Sequence, residues 1–120
     1  MKATSDVIAV NGILRVKQGK AEEFIKAIKA YMESVKDREG MLLDGIHQSP
    51  DDPHVIMVYE QYENADVLVN HVSSKEFTDW VPIRDSFLES REIRKWNIVK
   101  MIGSAVENNY LMHRQEAAKP

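Results

Sequence analysis

Cysteine is absent from the 120 residues, which excludes disulfide frameworks, zinc–thiolate sites, iron–sulfur clusters and thiol nucleophiles. Basic residues are in no surplus. Sixteen Lys and Arg stand against nineteen Asp and Glu, a net charge of −3, so the broad positive surface of a phosphate-backbone binder is missing. No apolar run approaches the roughly 20 residues of a membrane-spanning helix. The opening Met-Lys-Ala-Thr-Ser-Asp lacks the apolar stretch of a signal peptide. Five glycines, at 12, 19, 40, 45 and 103, are scattered rather than gathered into a phosphate-binding loop. Neither a Gly-x-Ser-x-Gly nor a metalloprotease signature occurs. The expectation is a soluble cytoplasmic protein that engages neither nucleic acid nor membrane.

What is present suits one ordinary globular domain: 43% hydrophobic and 29% charged residues. Residues 1–103 read as that domain, and 104–120, polar and ending Gln-Glu-Ala-Ala-Lys-Pro, as a tail. Alternation predicts a first strand over Asp6–Lys17, with Ile8, Val10, Leu14 and Val16 on one side and Ala9, Asn11, Ile13 and Arg15 on the other. Phe24, Ile28, Tyr31 and Val35 form the stripe of a helix over Lys20–Lys36, with Gly40 as terminator. Strands follow over Met41–Ser49 and His54–Tyr62, separated by the turn signal Pro50-Asp51-Asp52-Pro53. Asn64 is placed to cap a short helix through Val72. Ser73 and Glu76 have capping-box spacing for another helix, which Pro82 is expected to kink or divide. Ile93–Ile102 reads as the last strand.

The order β-α-β-β-α-β is the split βαβ, ferredoxin-like arrangement, an α+β fold with a four-stranded antiparallel sheet and helices on one face. Strands one, three and four carry apolar residues on both sides, so the uncovered face would exceed the few hundred Å² that monomers tolerate. A second copy laid sheet to sheet is the simplest cover, and the expectation is a homodimer.

Several short motifs in order resemble the antibiotic biosynthesis monooxygenase (ABM) superfamily of dimeric α+β barrels. They are Leu14-Arg15-Val16-Lys17-Gln18-Gly19, Arg38-Glu39-Gly40, Val58-Tyr59-Glu60-Gln61-Tyr62, and His71 followed by Ser73-Ser74-Lys75-Glu76-Phe77. The resemblance implies cofactor-independent oxidation by O₂ of a small phenolic, quinol or polycyclic aromatic substrate, without bound metal. Haem-degrading relatives carry a tryptophan at the place of His71 and a haem-binding histidine where Val81 stands. Their strand-one asparagine would fall at Gly12, one position from Asn11, and a one-residue shift reverses the face. The haem branch is therefore disfavoured.

His71 is the first candidate for chemistry, as a neutral imidazole able to take a proton from a substrate hydroxyl. Its bland alternative is a helix-end cap or a bond to Glu60. Tyr62, on the same side of its strand as Glu60 and opposite Tyr59, could orient an aromatic substrate or simply pack. Asn11 and Arg15 share a face; beneath the helices they would polarise a substrate oxygen, and on the other side they would serve an interface. Phe77 and Trp80 could wall a substrate pocket or belong to the core. His47 and His54, near Asp44, Asp51 and Asp52, suit a solvated hairpin tip better than a metal site. Beside the monooxygenase reading stand a non-catalytic small-molecule-binding or stress-response barrel, and an isomerase of a small oxygenated metabolite using His71 as proton shuttle.

Overall fold

The computed structural model describes residues 6–102. The elements are β1 (Ile8–Val16), α1 (Ala21–Val35), β2 (Met41–Gln48), β3 (Val55–Tyr62), α2 (Ala65–Val72), α3 (Lys75–Ser86) and β4 (Leu88–Asn97). The four strands form one antiparallel sheet in the order β2-β3-β1-β4. This is the expected ferredoxin-like α+β fold.

Strand alternation sorts β1 into two environments. Val10, Leu14 and Val16 are buried under the helices, where Leu14 lies opposite Ile56 and packs with Phe24, Ile28, Trp80 and Leu88. The α1 stripe supplies Phe24, Ile28 and Val35 to this core. Ring stacking extends it, with Tyr31 and Trp80 centroids 4.9 Å apart and nearly parallel at 7°. Ala9, Asn11, Ile13 and Arg15 turn to the opposite, helix-free face beside Gln61, Tyr59, Met57 and Val55.

Gly40 shows why one short motif needs its glycine. Its φ is +85°, and an added Cβ would stand 2.5 Å from Val67 Cγ2 on α2. The turn thus brings α1, β2 and α2 together, and the Gly40 carbonyl accepts from the Glu63 N–H at 2.9 Å.

Three expectations are corrected. Asn64 caps α2 as expected, accepting from the Val67 N–H at 3.0 Å, but α3 is capped by Ser74, not Ser73. Ser73 closes α2 in a helical conformation, whereas Ser74 is extended and accepts from the Phe77 N–H at 3.2 Å. Pro82 does not divide α3, which runs through it. Its ring lies on the exposed side, where the carbonyl it leaves unpaired can bond water. The last strand begins at Leu88 rather than Ile93 and ends at Asn97. Its sequence Leu-Glu-Ser-Arg-Glu-Ile-Arg-Lys-Trp-Asn is that of an exposed edge strand protected by charge, which an apolar pattern does not detect.

Consequently Ile98–Ile102 lies outside the strand. Residues 98–101 border a surface depression with Ala9, Asn11, Tyr59 and Trp96, and the Gln61 amide reaches Met101 Sδ at 3.3 Å. The chain itself therefore covers part of the helix-free face. The polar tail, 104–120, falls outside the described residues. Among the described residues no helix is long and apolar enough to cross a membrane.

Candidate functional site

Between α1, α2, α3 and the helix-side sheet face lies a cavity of about 110 Å³. Its walls are largely apolar, including Leu14, Ile28, Val58, Leu68, Phe77 and Trp80, and five polar side chains converge on it: Tyr31, Asp44, Glu60, His71 and Arg84. A wider depression of about 400 Å³ beside Arg38 and Asn70 is open to solvent. The smaller cavity is the better candidate because enclosure strengthens every polar interaction inside it.

Each polar group is delivered by a different element. His71 sits in the last turn of α2, 3% exposed, with its ring 5.5 Å from Tyr62 and 5.2 Å from Phe77. Its Nε2 is 3.2 Å from the Tyr31 hydroxyl on α1, while its buried Nδ1 has no partner among the described residues. One donor is left over in either tautomer: Nδ1–H if Tyr31 donates, or the Tyr31 hydroxyl if Nε2–H does. Burial, helped by the Arg38 charge, pushes the imidazole down to about 4. It is therefore neutral at pH 7 and a poor proton acceptor. Burial and the Glu60 charge raise Tyr31, whose hydroxyl stays protonated.

Glu60 and Asp44 face each other directly across the β2–β3 ladder. Burial, and secondarily the Asp44 charge, pushes Glu60 up to about 7. Burial pushes Asp44 up to about 6. The Tyr62 hydroxyl donates to Glu60 Oε1. Tyr62 is 0% exposed and sits behind the cavity wall, bracing Glu60 and His71. Arg84 is also buried; its Nε donates to Asp85 at 3.0 Å, and its charge opposes the rise of Glu60.

Gly12 lies on β1 beneath two cavity-lining residues. A Cβ there would lie 2.9 Å from Val58 Cγ2 and 3.3 Å from Ile93 Cγ1. Glycine thus lets these two side chains pack closely over the strand.

The structure brings His71, Phe77 and Trp80 to the cavity, with Tyr62 just behind. Asn11 and Arg15 are not brought there. Both lie on the odd-numbered side of β1, across the sheet, with Asn11 between Tyr59 and Arg94 and Arg15 exposed between Val55 and Ser90. The Gly19 N–H donates to His54 Nε2 at 3.2 Å, and His47 Nδ1 lies 3.2 Å from the Met57 carbonyl. Among the described residues no three potential metal-ligating side chains gather. Sequence reasoning missed Tyr31, Asp44, Glu60 and Arg84 as site residues, with Glu60 considered only as a bond partner for His71. A signal existed for Arg84, which continues the Phe77–Trp80 stripe at a four-residue step.

Fold and site together define a small ferredoxin-like domain with a partly enclosed, partly polar cavity between helices and sheet. Residues 7–82, more than half of the chain, match the antibiotic biosynthesis monooxygenase family, and the chain belongs to it. No curated protein matches the sequence. Solved structures share the fold. A conserved protein of Methanosarcina mazei Go1 is 24% identical, with a TM-score of 0.74, over 78% of this chain and 94% of its own. A Nitrosomonas europaea protein provisionally named an antibiotic biosynthesis monooxygenase is 21% identical, with a TM-score of 0.75, over 86% and 100%. One of Caulobacter crescentus CB15, named in the same provisional way, is 24% identical, with a TM-score of 0.74, over 81% and 93%. These identities speak for fold alone.

Proposed function

We propose that the protein is a cofactor-independent monooxygenase that oxidises a small, single-ring phenol or quinol with O₂. The observation that carries this reading is the partly enclosed cavity, walled by Phe77 and Trp80 and furnished with neutral His71–Tyr31 and a half-buried carboxylate pair. Its volume, about 110 Å³, is below the roughly 150 Å³ that takes up benzene in an engineered core cavity. One ring already requires the walls to yield, which speaks against the polycyclic substrates.

The chemistry follows from the substrate's own electrons. A hydroxyl loses its proton to an acceptor in the cavity, leaving the electron pair on oxygen. The anion passes one electron to O₂, and the resulting radical and superoxide combine at a ring carbon. The peroxide takes back the proton. Loss of the ring C–H proton then breaks the O–O bond, so that a carbonyl forms and water leaves. Hydroquinone plus O₂ gives hydroxyquinone plus H₂O, with both hydrogens of the water supplied by the substrate. The protein contributes exclusion of water, hydrogen bonds from Tyr31 or His71 to the developing anion, and the Arg84 charge. Tyr62 braces the site.

The reading includes a homodimer joined through the helix-free sheet face. Half-exposed Trp96, paired with Ala9 and bordering a depression with Asn11 and Tyr59, supports this, and the reading assigns Asn11 and Arg15 to that interface rather than to the reaction.

Oxygen consumption with a panel of hydroquinones, with quinone formation followed by absorbance, tests the reading. One O₂ consumed per quinone formed, and a rate severely reduced in Trp80→Ala, is the expected result. Specific phenol binding without oxygen uptake would reject it in favour of a binding module or an isomerase.

A further inference from the structure

The β2–β3 register sets Asp44 directly opposite Glu60, and both side chains line the cavity. Like charges in this arrangement repel at cross-strand distance. Among the described residues neither carboxylate has an ion-pair partner. The groups that close over the pair are Tyr31 from α1, His71 from α2 and Arg84 from α3, with Tyr62 beside it on β3. Tyr31 and His71 bond each other, and Arg84 donates to Asp85. The Tyr62 hydroxyl occupies one Glu60 oxygen, which leaves acceptor capacity facing the cavity. A pair of half-buried carboxylates with only the Arg84 charge to offset them is costly to keep, and holding one proton between them relieves the repulsion.

We propose that Glu60, coupled to Asp44, takes the substrate's hydroxyl proton, and that His71 is a neutral hydrogen-bonding partner and not the base. The inference rests on the monooxygenase reading for its chemical consequence. In the step, the substrate O–H bond breaks and an O–H bond forms on Glu60. The electron pair remains on the substrate oxygen, and Glu60 returns the proton to the peroxide. Asp44 is a positioning residue, whose charge holds Glu60 in the range where it can both accept and return a proton. The elevation of Glu60 toward neutrality fits this role, since acid–base catalysts work best near the ambient pH.

The test is binding of 4-fluorophenol, a redox-inert single ring, followed by fluorine NMR across pH. Its hydroxyl donates to ionised Glu60, so binding tightens as that group loses its proton. With ionisation near 7, affinity should rise about tenfold from pH 6 to pH 8. Glu60→Gln keeps an oxygen for Tyr62 and should bind weakly without pH dependence. Asp44→Asn removes the repelling charge and should move the midpoint to lower pH. His71→Gln should weaken binding and leave the midpoint in place. An unchanged pH profile in Glu60→Gln, or an unmoved midpoint in Asp44→Asn, would overturn the inference. Hydroquinone oxidation separates it from the function: equal oxygen uptake by wild type and Glu60→Gln would sink the base assignment and leave the monooxygenase standing. The pH-dependent binding without uptake would do the reverse, and no binding in the wild type would defeat both.

Discussion

Replacing Glu60 by Gln should stabilise this protein at alkaline pH and do little in acid. The ordinary glutamate value is 4.5, and burial with the Asp44 charge carries Glu60 to about 7. At 1.36 kcal/mol per pH unit, that difference corresponds to roughly 3 kcal/mol. The sign follows from linkage. Below pH 4.5 the carboxyl is protonated in both folded and unfolded chains and contributes no penalty. As pH rises from 4.5 to 7 the unfolded chain releases its proton while the folded chain retains it, so stability declines and then levels above pH 7. Glutamine never ionises and escapes the decline. The charged Tyr62 hydrogen bond is already contained in that net rise, since it holds the Glu60 value down. The gain near pH 8 is therefore about 3 kcal/mol, or roughly 12 °C in melting temperature for a domain of this size. Urea denaturation of both proteins at pH 4 and pH 8, at fixed protein concentration, reads the difference. Comparing the variant with wild type at each pH cancels the other titrating groups. Equal stability differences at the two pH values, or a variant less stable at pH 8, would refute the claim that desolvation and the Asp44 charge outweigh Arg84 at Glu60.

Other substitutions probe separate parts of the molecule. Gly12→Val places a branched side chain where even a Cβ lies 2.9 Å from Val58 and 3.3 Å from Ile93; this overpacking should cost about 1–3 kcal/mol in urea denaturation. Gly40→Ala forces a Cβ into a φ of +85° and against Val67, which should cost about 2–4 kcal/mol in chemical denaturation. Tyr31→Phe leaves His71 Nε2 without its partner and should lower stability by about 1–3 kcal/mol, the penalty for an unsatisfied buried group. If the helix-free face joins two copies, Trp96→Glu should convert a dimer to a monomer in sedimentation equilibrium, and a wild type that sediments as a monomer at micromolar concentration would remove that interface.

The fold was legible wherever period and packing agreed. The first strand alternates between a helix-side set and an outer set, and the structure assigns Val10, Leu14 and Val16 to the core as that pattern requires. The Phe24–Ile28–Val35 stripe of α1 is buried as expected. Local hydrogen bonding was harder to read. Ser73 and Ser74 are equally good capping residues by type, and the choice turned on where α2 exhausts its own turns. The first half of the last strand escaped because an edge needs only a backbone partner. Ser90 to Glu92 supply that to β1 while remaining exposed, so nothing in their hydropathy marks a strand.

For the site, the same alternation was legible and its consequence was not. Asn11 and Glu60 both stand in strands with apolar neighbours, and either could have been the buried polar group. Parity relates residues within one strand, but only the placement of the helices decides which parity is dry. Once α1–α3 cover the even-numbered side of β1, Glu60 and Asp44 become the desolvated pair, and Asn11 and Arg15 are committed to the other face. That outcome also redistributes the chemistry expected of His71. Burial acts with opposite sign on an imidazole and a carboxyl, because it disfavours the charged form of each. The enclosure that lowers His71 to about 4 raises Glu60 to about 7. One dry cavity thus makes the histidine a weaker base and the glutamate a stronger one, and a role that residue type alone would give to His71 passes to the neighbouring strand.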